Sequence, residues 1–152
     1  APGDDGMASR RNGQINVGSQ ASWPATRSLY TTGEVDMKVL LVLNDPPYGT
    51  ERSYNGLRLA GALARQEGQE VRVFLLGDAA ACAKSGQKVP QGYYNLQHML
   101  SIVTRRGGEV GVCGTCMDAR GIQDDELADG TRRSTMDELT AWTAAADKVL
   151  VF

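Results

Sequence analysis

The run Val39-Leu40-Leu41-Val42-Leu43 narrows most what this chain can become. Side chains of a strand alternate between two faces, and five consecutive aliphatic residues leave neither face polar. Such a strand must be covered on both sides. It is far too short for the roughly 20 apolar residues of a membrane span, and it stops at Asn44.

The segments that follow fit a covered sheet. Val71–Leu76 reads as a second apolar strand ending at Gly77-Asp78, and Glu109–Cys113 as a third. Residues 130–133 suggest a short edge strand, and Lys148–Phe152 closes the chain as another. Thr50 is placed to cap a helix running to about Glu67, with Tyr54, Leu57, Gly61 and Ala64 on one face and Gly68 at its stop. A second helix from Asn95 to about Arg106 buries Leu96, Met99, Leu100 and Val103 before Gly107-Gly108. Ser134 opens a last helix, with Asp137 where a capping-box acid would sit. In that helix Trp142, three residues past Leu139, reads as core or subunit interface. Strands alternating with helices predict an α/β fold, a three-layer αβα sandwich around a mostly parallel sheet of four to five strands. Ligands in such sheets collect beyond the carboxyl ends of the strands, where the strand order reverses. Three connections therefore matter most: residues 44–49, 77–92 and 113–121.

Residues 1–36 are different in kind. Only eleven are apolar, and they are scattered among Gly, Ser, Thr, Asn and Gln. Without a 7–15-residue apolar stretch they do not read as a secretory signal. They are expected to be a flexible extension or leader, with a single domain over 37–152 that opens at Met37.

Charge excludes other classes. Sixteen basic residues against 18 acidic leave a net charge of −2, with no electrostatic footprint for nucleic acid or an anionic membrane. Three cysteines are too few for a disulfide scaffold, so a reducing, cytoplasmic setting is the simplest expectation. One histidine, His98, gives little basis for a histidine metal site or a His-driven hydrolase.

The strongest chemical signal is Cys113-Gly114-Thr115-Cys116. Cys113 ends a strand, Gly114 permits a sharp turn, and the spacing lets Cys116 approach Cys113. Loop amides around Gly114 and Thr115 and a cation from Arg120 would favour a thiolate at this rim. A zinc site would need two further ligands, and Cys82 and His98 show no metal spacing. The bland alternative is that Cys113 is a small apolar strand residue. Two cysteines in a glycine-rich loop at the functional edge favour reactive chemistry. Cys82, in an alanine-rich segment, reads as filler, and His98 as a surface or interface residue. Asn44, Tyr48, Gly49, Gly77 and Asp78 are the candidate pocket wall. The 44–49 loop carries neither nucleotide-binding glycine pattern.

The order of these motifs resembles a known family. Met37-Lys38-Val39 through Asn44-Asp45-Pro46-Pro47-Tyr48-Gly49, Arg58-Leu59-Ala60, Phe74 to Ala79, Gly86-Gln87-Lys88, Tyr94-Asn95-Leu96-Gln97, Cys113 to Cys116, Arg120-Gly121 and Ala146 to Leu150 are similar to DsrE/DsrF/TusD-type sulfur-relay proteins, most of all the YchN-like subgroup. The resemblance spans 37–152. It implies a flavodoxin-like subunit in homo- or hetero-hexamers, here a homo-hexamer built as a trimer of dimers. It further implies a persulfide carried on the position of Cys113, exchange with sulfur donor and acceptor proteins, and no metal or organic cofactor. Three readings follow: a persulfide carrier using Cys113, a dithiol–disulfide redox protein using Cys113 and Cys116, and a non-catalytic oligomeric binding module.

Overall fold

The computed structural model describes residues 37–152; the reading of 1–36 as an extension lies outside the described residues. Five strands form one sheet: β1 (Met37–Leu43), β2 (Gln69–Leu75), β3 (Glu109–Cys113), β4 (Thr131–Ser134) and β5 (Lys148–Val151). Their order is β4-β3-β2-β1-β5, and every neighbouring pair is parallel. Four α-helices accompany them: α1 (Arg52–Leu63), α2 (Leu96–Thr104), the short α3 (Gly114–Asp118) and α4 (Met136–Ala145). A 3-10 helix, Gly77–Ala83, leaves the end of β2.

β1 does what its five aliphatic residues require. Val39, Leu41 and Leu43 join Val71, Val73, Leu75, Val110 and Val112 in one core, beneath Leu57 and Ala60 of α1 and Leu96, Leu100 and Val103 of α2. Leu40 and Val42 face the other way, into a smaller core with Phe74, Cys113 and Trp142. Trp142 meets Phe74 edge-on, with ring centroids 6.1 Å apart. At 6 % exposure it is core rather than subunit surface.

The chain steps from β1 to β4 in one direction and then returns to the far side of β1. Right-handed crossovers place helices of opposite steps on opposite faces. That is why, among the described residues, α4 on the returning connection is the helix that covers the second face. The sandwich is three-layered but uneven.

Several boundaries move for local reasons. α1 starts at Arg52 with Glu51 rather than Thr50 at its cap, because the Thr50 hydroxyl donates instead to Asp45 at 2.7 Å; Glu51 caps without a side-chain bond. The helix ends at Leu63, and a short turn fills the interval to Gly68. α2 is capped by Asn95, whose Oδ1 accepts from His98 N–H at 2.9 Å. Met99 is only partly buried. The last helix is capped by Thr135, not by Ser134: Thr135 Oγ1 accepts from the Glu138 N–H at 3.2 Å. Ser134 remains in β4 and donates to the Glu138 carboxylate.

Glu138 thus joins β4 to α4. Arg132 donates to it through both Nη1 and Nη2, and this pairing holds its carboxyl down to about 2, against the opposing pull of partial burial. A carboxyl with a lowered folded pKa stabilises above its unfolded value and loses that contribution as pH falls through the folded one. Thermal midpoints should therefore drop between about pH 4.5 and pH 2 more steeply in the wild type than in Glu138→Gln, as scanning calorimetry across that range would show.

Candidate functional site

Cys113 closes β3 and is also the N-terminal cap of α3, whose first residue is Gly114. The 113–121 connection is therefore partly helical rather than a loop. Its turn carries the Cys113 sulfur back over the helix start, where it accepts the Cys116 N–H at 3.3 Å and lies 3.3 Å from the Thr115 hydroxyl. Cys113 and Cys116 are joined as a disulfide, with Cα atoms 5.2 Å apart. The Cys116 sulfur accepts a second backbone donor, the Gly77 N–H, at 3.2 Å. Gly77 holds φ at +58°, a left-handed turn that glycine enters without the penalty of a side chain. Each sulfur thus has a backbone N–H aimed at it, one from α3 and one from the end of β2.

Arg120 and Asp78 form the next layer. The Arg120 guanidinium donates to the Asp78 carboxylate at 2.5 Å and to the Cys116 carbonyl at 3.0 Å. Arg120 therefore clamps α3 to the 3-10 helix, and Asp78 takes up the charge expected to serve a thiolate. Asn44 lies at the same sheet edge. It donates to the Phe152 carbonyl at 3.3 Å and accepts the Ala79 N–H at 3.2 Å. Tyr48 belongs to another group: its hydroxyl donates to Gln87 at 2.6 Å, and Tyr94 stacks between it and Tyr54. Gly49 sits in an open turn beside it. The structure brings together Cys113, Gly114, Thr115, Cys116, Gly77, Asp78 and Arg120, with Asn44 at their margin and Tyr48 and Gly49 apart. The cluster lies past the ends of β2 and β3, not at the β1/β5 boundary where the strand order reverses.

Cys82 is in a different state. It lies fully buried in the 3-10 helix, and removal from water pushes its thiol up to about 12. The filler reading holds. His98 is exposed on α2.

Sequence reasoning missed the other wall. Cys113 pairs with Ser134 across the β3–β4 ladder, so the β4–α4 junction faces the disulfide. A cleft of about 240 Å3 there is lined by Cys113, Gly114, Thr115, Arg133, Ser134 and Met136 among others. Arg133 Nε donates to Asp124 at 2.7 Å and Nη2 to Asp118 at 2.8 Å. Its side chain presses against Gly114, where a Cβ would meet Arg133 Nη1 at 2.8 Å and the Ser134 carbonyl at 3.2 Å. The signal that could have found Arg133 was the β3–β4 adjacency, since neighbouring parallel strands end side by side.

With this geometry in place, comparison with known proteins places the chain. Residues 37–152 match the DsrE/DsrF-like family. The chain belongs to that family. Protein YchN of Escherichia coli K12 is 47 % identical over 116 residues, covering 76 % of this chain and 98 % of YchN. The uncharacterized protein MK0008 of Methanopyrus kandleri is 36 % identical over 114 residues, 75 % of this chain and 93 % of its own. The crystal structure of the E. coli ychN protein superposes with a TM-score of 0.73 at 46 % identity, covering 76 % of this chain and 99 % of that one. The YchN-like resemblance read from the motifs and the α/β fold both stand. Among the described residues no helix is long and apolar enough to cross a membrane.

Because Gly114 leaves room for Arg133, Gly114→Ala should push the guanidinium off its aspartates and lower stability by about 1–2 kcal/mol. Urea unfolding of wild type and variant measures this directly.

Proposed function

We propose that this protein is a cysteine-based sulfur carrier that holds its cargo as a persulfide on Cys113. The observation that carries the reading is the placement of Cys113 at a strand-to-helix turn, with the Cys116 N–H on its sulfur. Membership of the DsrE/DsrF-like family supports it.

Reduced Cys113 thiolate attacks the terminal sulfur of a donor persulfide, R–S–SH. A bond forms between Cys113 Sγ and that sulfur, the donor's S–S bond breaks, and R–S⁻ leaves. An acceptor thiolate then takes the same sulfur and restores the Cys113 thiolate. Cys116 opens a side route: its thiolate attacks Cys113 Sγ, expels hydrosulfide and closes the disulfide. Two electrons from an external dithiol reopen it. In this reading the carrier works in the cytoplasm, where thiol reductants are at hand, and exchanges sulfur with donor and acceptor proteins.

The disulfide itself favours a second reading, a dithiol–disulfide redox protein. The two differ in what Cys116 does. Cys113→Ser should abolish the mass gain of one sulfur after exposure to a persulfide donor. Cys116→Ser should still load, and its persulfide should outlast the wild type's. A resolving thiol three residues away acts at high effective concentration, so removing it closes the fastest route of sulfide loss. Intact-mass spectrometry of reduced protein follows both. Failure of Cys116→Ser to load would replace the carrier with the redox protein.

We also propose that the subunits assemble as a homo-hexamer, a trimer of dimers. Tyr93, Met136 and Val151 are 70 %, 58 % and 67 % exposed, apolar surface of the kind interfaces cover. Sedimentation at micromolar concentration should give the hexamer mass, and a monomer would exclude it.

A further inference from the structure

We propose that Arg133 anchors the anionic end of a low-molecular-weight persulfide in the cleft beside Cys113, through its Nη1. The inference rests on the sulfur-carrier reading and adds to it the class of donor and the residue that orients it.

Three observations converge on this atom. The guanidinium is held at two corners, Nε on Asp124 and Nη2 on Asp118, which fixes its plane. Nη1 has no hydrogen-bond partner among the described residues, and it is the corner that lies over Gly114. Gly114 directly follows Cys113, and both line the same cleft as Arg133. The arrangement leaves one charge-assisted donor open to a ligand that approaches the Cys113 sulfur. Arg120, the cation nearest in sequence, offers no such corner to the cleft and is not among its lining residues.

The surrounding charges narrow the ligand. Asp118 and Asp124 outnumber Arg133, so the cluster carries a formal charge of −1. A dianion gains one hydrogen bond and meets net repulsion. A singly charged group gains the hydrogen bond at less cost. A cleft of about 240 Å3 holds about eight water-sized groups, room for a small organic molecule and little more. A small organic persulfide fits both limits when a single carboxylate reaches Nη1 and its terminal S–H sulfur faces the Cys113 thiolate. Arg133 transfers no proton or electron in this step. It holds the donor while the Cys113 thiolate makes the new S–S bond and the departing thiolate leaves.

The test uses two alkylating reagents of nearly the same shape, iodoacetate and neutral iodoacetamide, on reduced Cys116→Ser protein. Peptide mapping reads labelling at Cys113 alone. Any change in the thiolate fraction alters both rates together, so their ratio isolates attraction of the anion. Adding Arg133→Gln should lower the iodoacetate-to-iodoacetamide ratio about threefold to fivefold, the scale of a partly solvated ion pair. Arg132→Gln removes the same charge from the same strand, away from the cleft, and should leave the ratio unchanged. The native ratio should also exceed that of the same chain unfolded in urea, a comparison that needs no Arg133 variant to fold. An unchanged ratio in Arg133→Gln, an equal fall in Arg132→Gln, or a native ratio at or below the unfolded one overturns the anchor.

Sulfur loading from cysteine persulfide separates this result from the function itself. Arg133→Gln should raise the KM for loading while leaving kcat within about twofold, because a uniform binding contact is lost. No loading of any variant, with the alkylation ratios as expected, removes the carrier reading and leaves an anion anchor. Loading with a KM indifferent to Arg133 overturns the anchor and leaves the carrier.

Discussion

Leu40 and Leu41 are adjacent in the chain, point to opposite sides of the sheet and are both fully removed from water. Nothing else in the fold can be arranged until both are covered. Burying a leucine side chain is worth about 1.5–3 kcal/mol, so an uncovered face on β1 would forfeit several such contributions together. Covering both faces demands helices on both sides. With right-handed crossovers, that in turn demands a chain that reverses direction across the sheet. The step back from β4 to β5 supplies the reversal, and α4 with Trp142 is what it delivers. Asp147 and Phe152 fasten the returning strand: Asp147 exchanges hydrogen bonds with Lys38, and Phe152 N–H donates to Val42.

The chemistry depends on the same geometry at one remove. β3 ends in a cysteine whose side chain falls on the α4 face, while α3 turns toward the other core through Met117. The backbone must therefore cross from one face of the sheet to the other between Cys113 and Met117. That crossing brings the Cys116 N–H back onto the Cys113 sulfur and leaves the Cys116 sulfur beside Gly77. The dithiol pair is a consequence of how a buried parallel strand hands over to its helix. Gly114 sits at the crossing for a packing reason as well, since a side chain there would occupy the place of Arg133.

What could be read from sequence is what is written in local patterns. β1 and β3 follow from local runs, and the buried Leu96, Leu100 and Val103 of α2 from its periodicity. Of the expected α1 face, Leu57 and Gly61 are buried, Tyr54 and Ala64 only partly, and Ser53, Gly56 and Ala60 are buried with them. The cysteine pair is local too, four residues whose spacing already implies approach. Caps proved harder, because neighbouring hydroxyls compete. Thr50 and Ser134 each precede a helix, yet both are drawn to carboxylates, Asp45 and Glu138, five and four residues away, and the local pattern does not say which acceptor wins. Arg120 and Arg133 make the same point for the site. Arg120 stands four residues from Cys116 and is tied to Asp78, whereas Arg133 stands 20 residues from Cys113 and reaches its cleft through strand pairing. Sequence distance points to Arg120 and is blind to Arg133, because strand order is a non-local property.

Cys82 provides the internal control for the role of position. It is the same residue type in the same domain, and its neighbours Ala79, Ala80 and Ala83 are fully buried with it. The loss of water there raises the thiol so far that it stays protonated through the physiological range, and the Ser53 hydroxyl recovers only part of the cost. Cys113 is 7 % exposed, scarcely more by area, yet its sulfur borders a cleft and receives a backbone donor. Exposure alone does not separate these two thiols. What separates them is an open path to the sulfur: Cys113 borders a cleft at the end of its strand, whereas Cys82 is enclosed despite hydrogen bonds from Ser53 and its own backbone. A thiol placed one strand residue earlier, at Val112, would point into the main core and share the fate of Cys82.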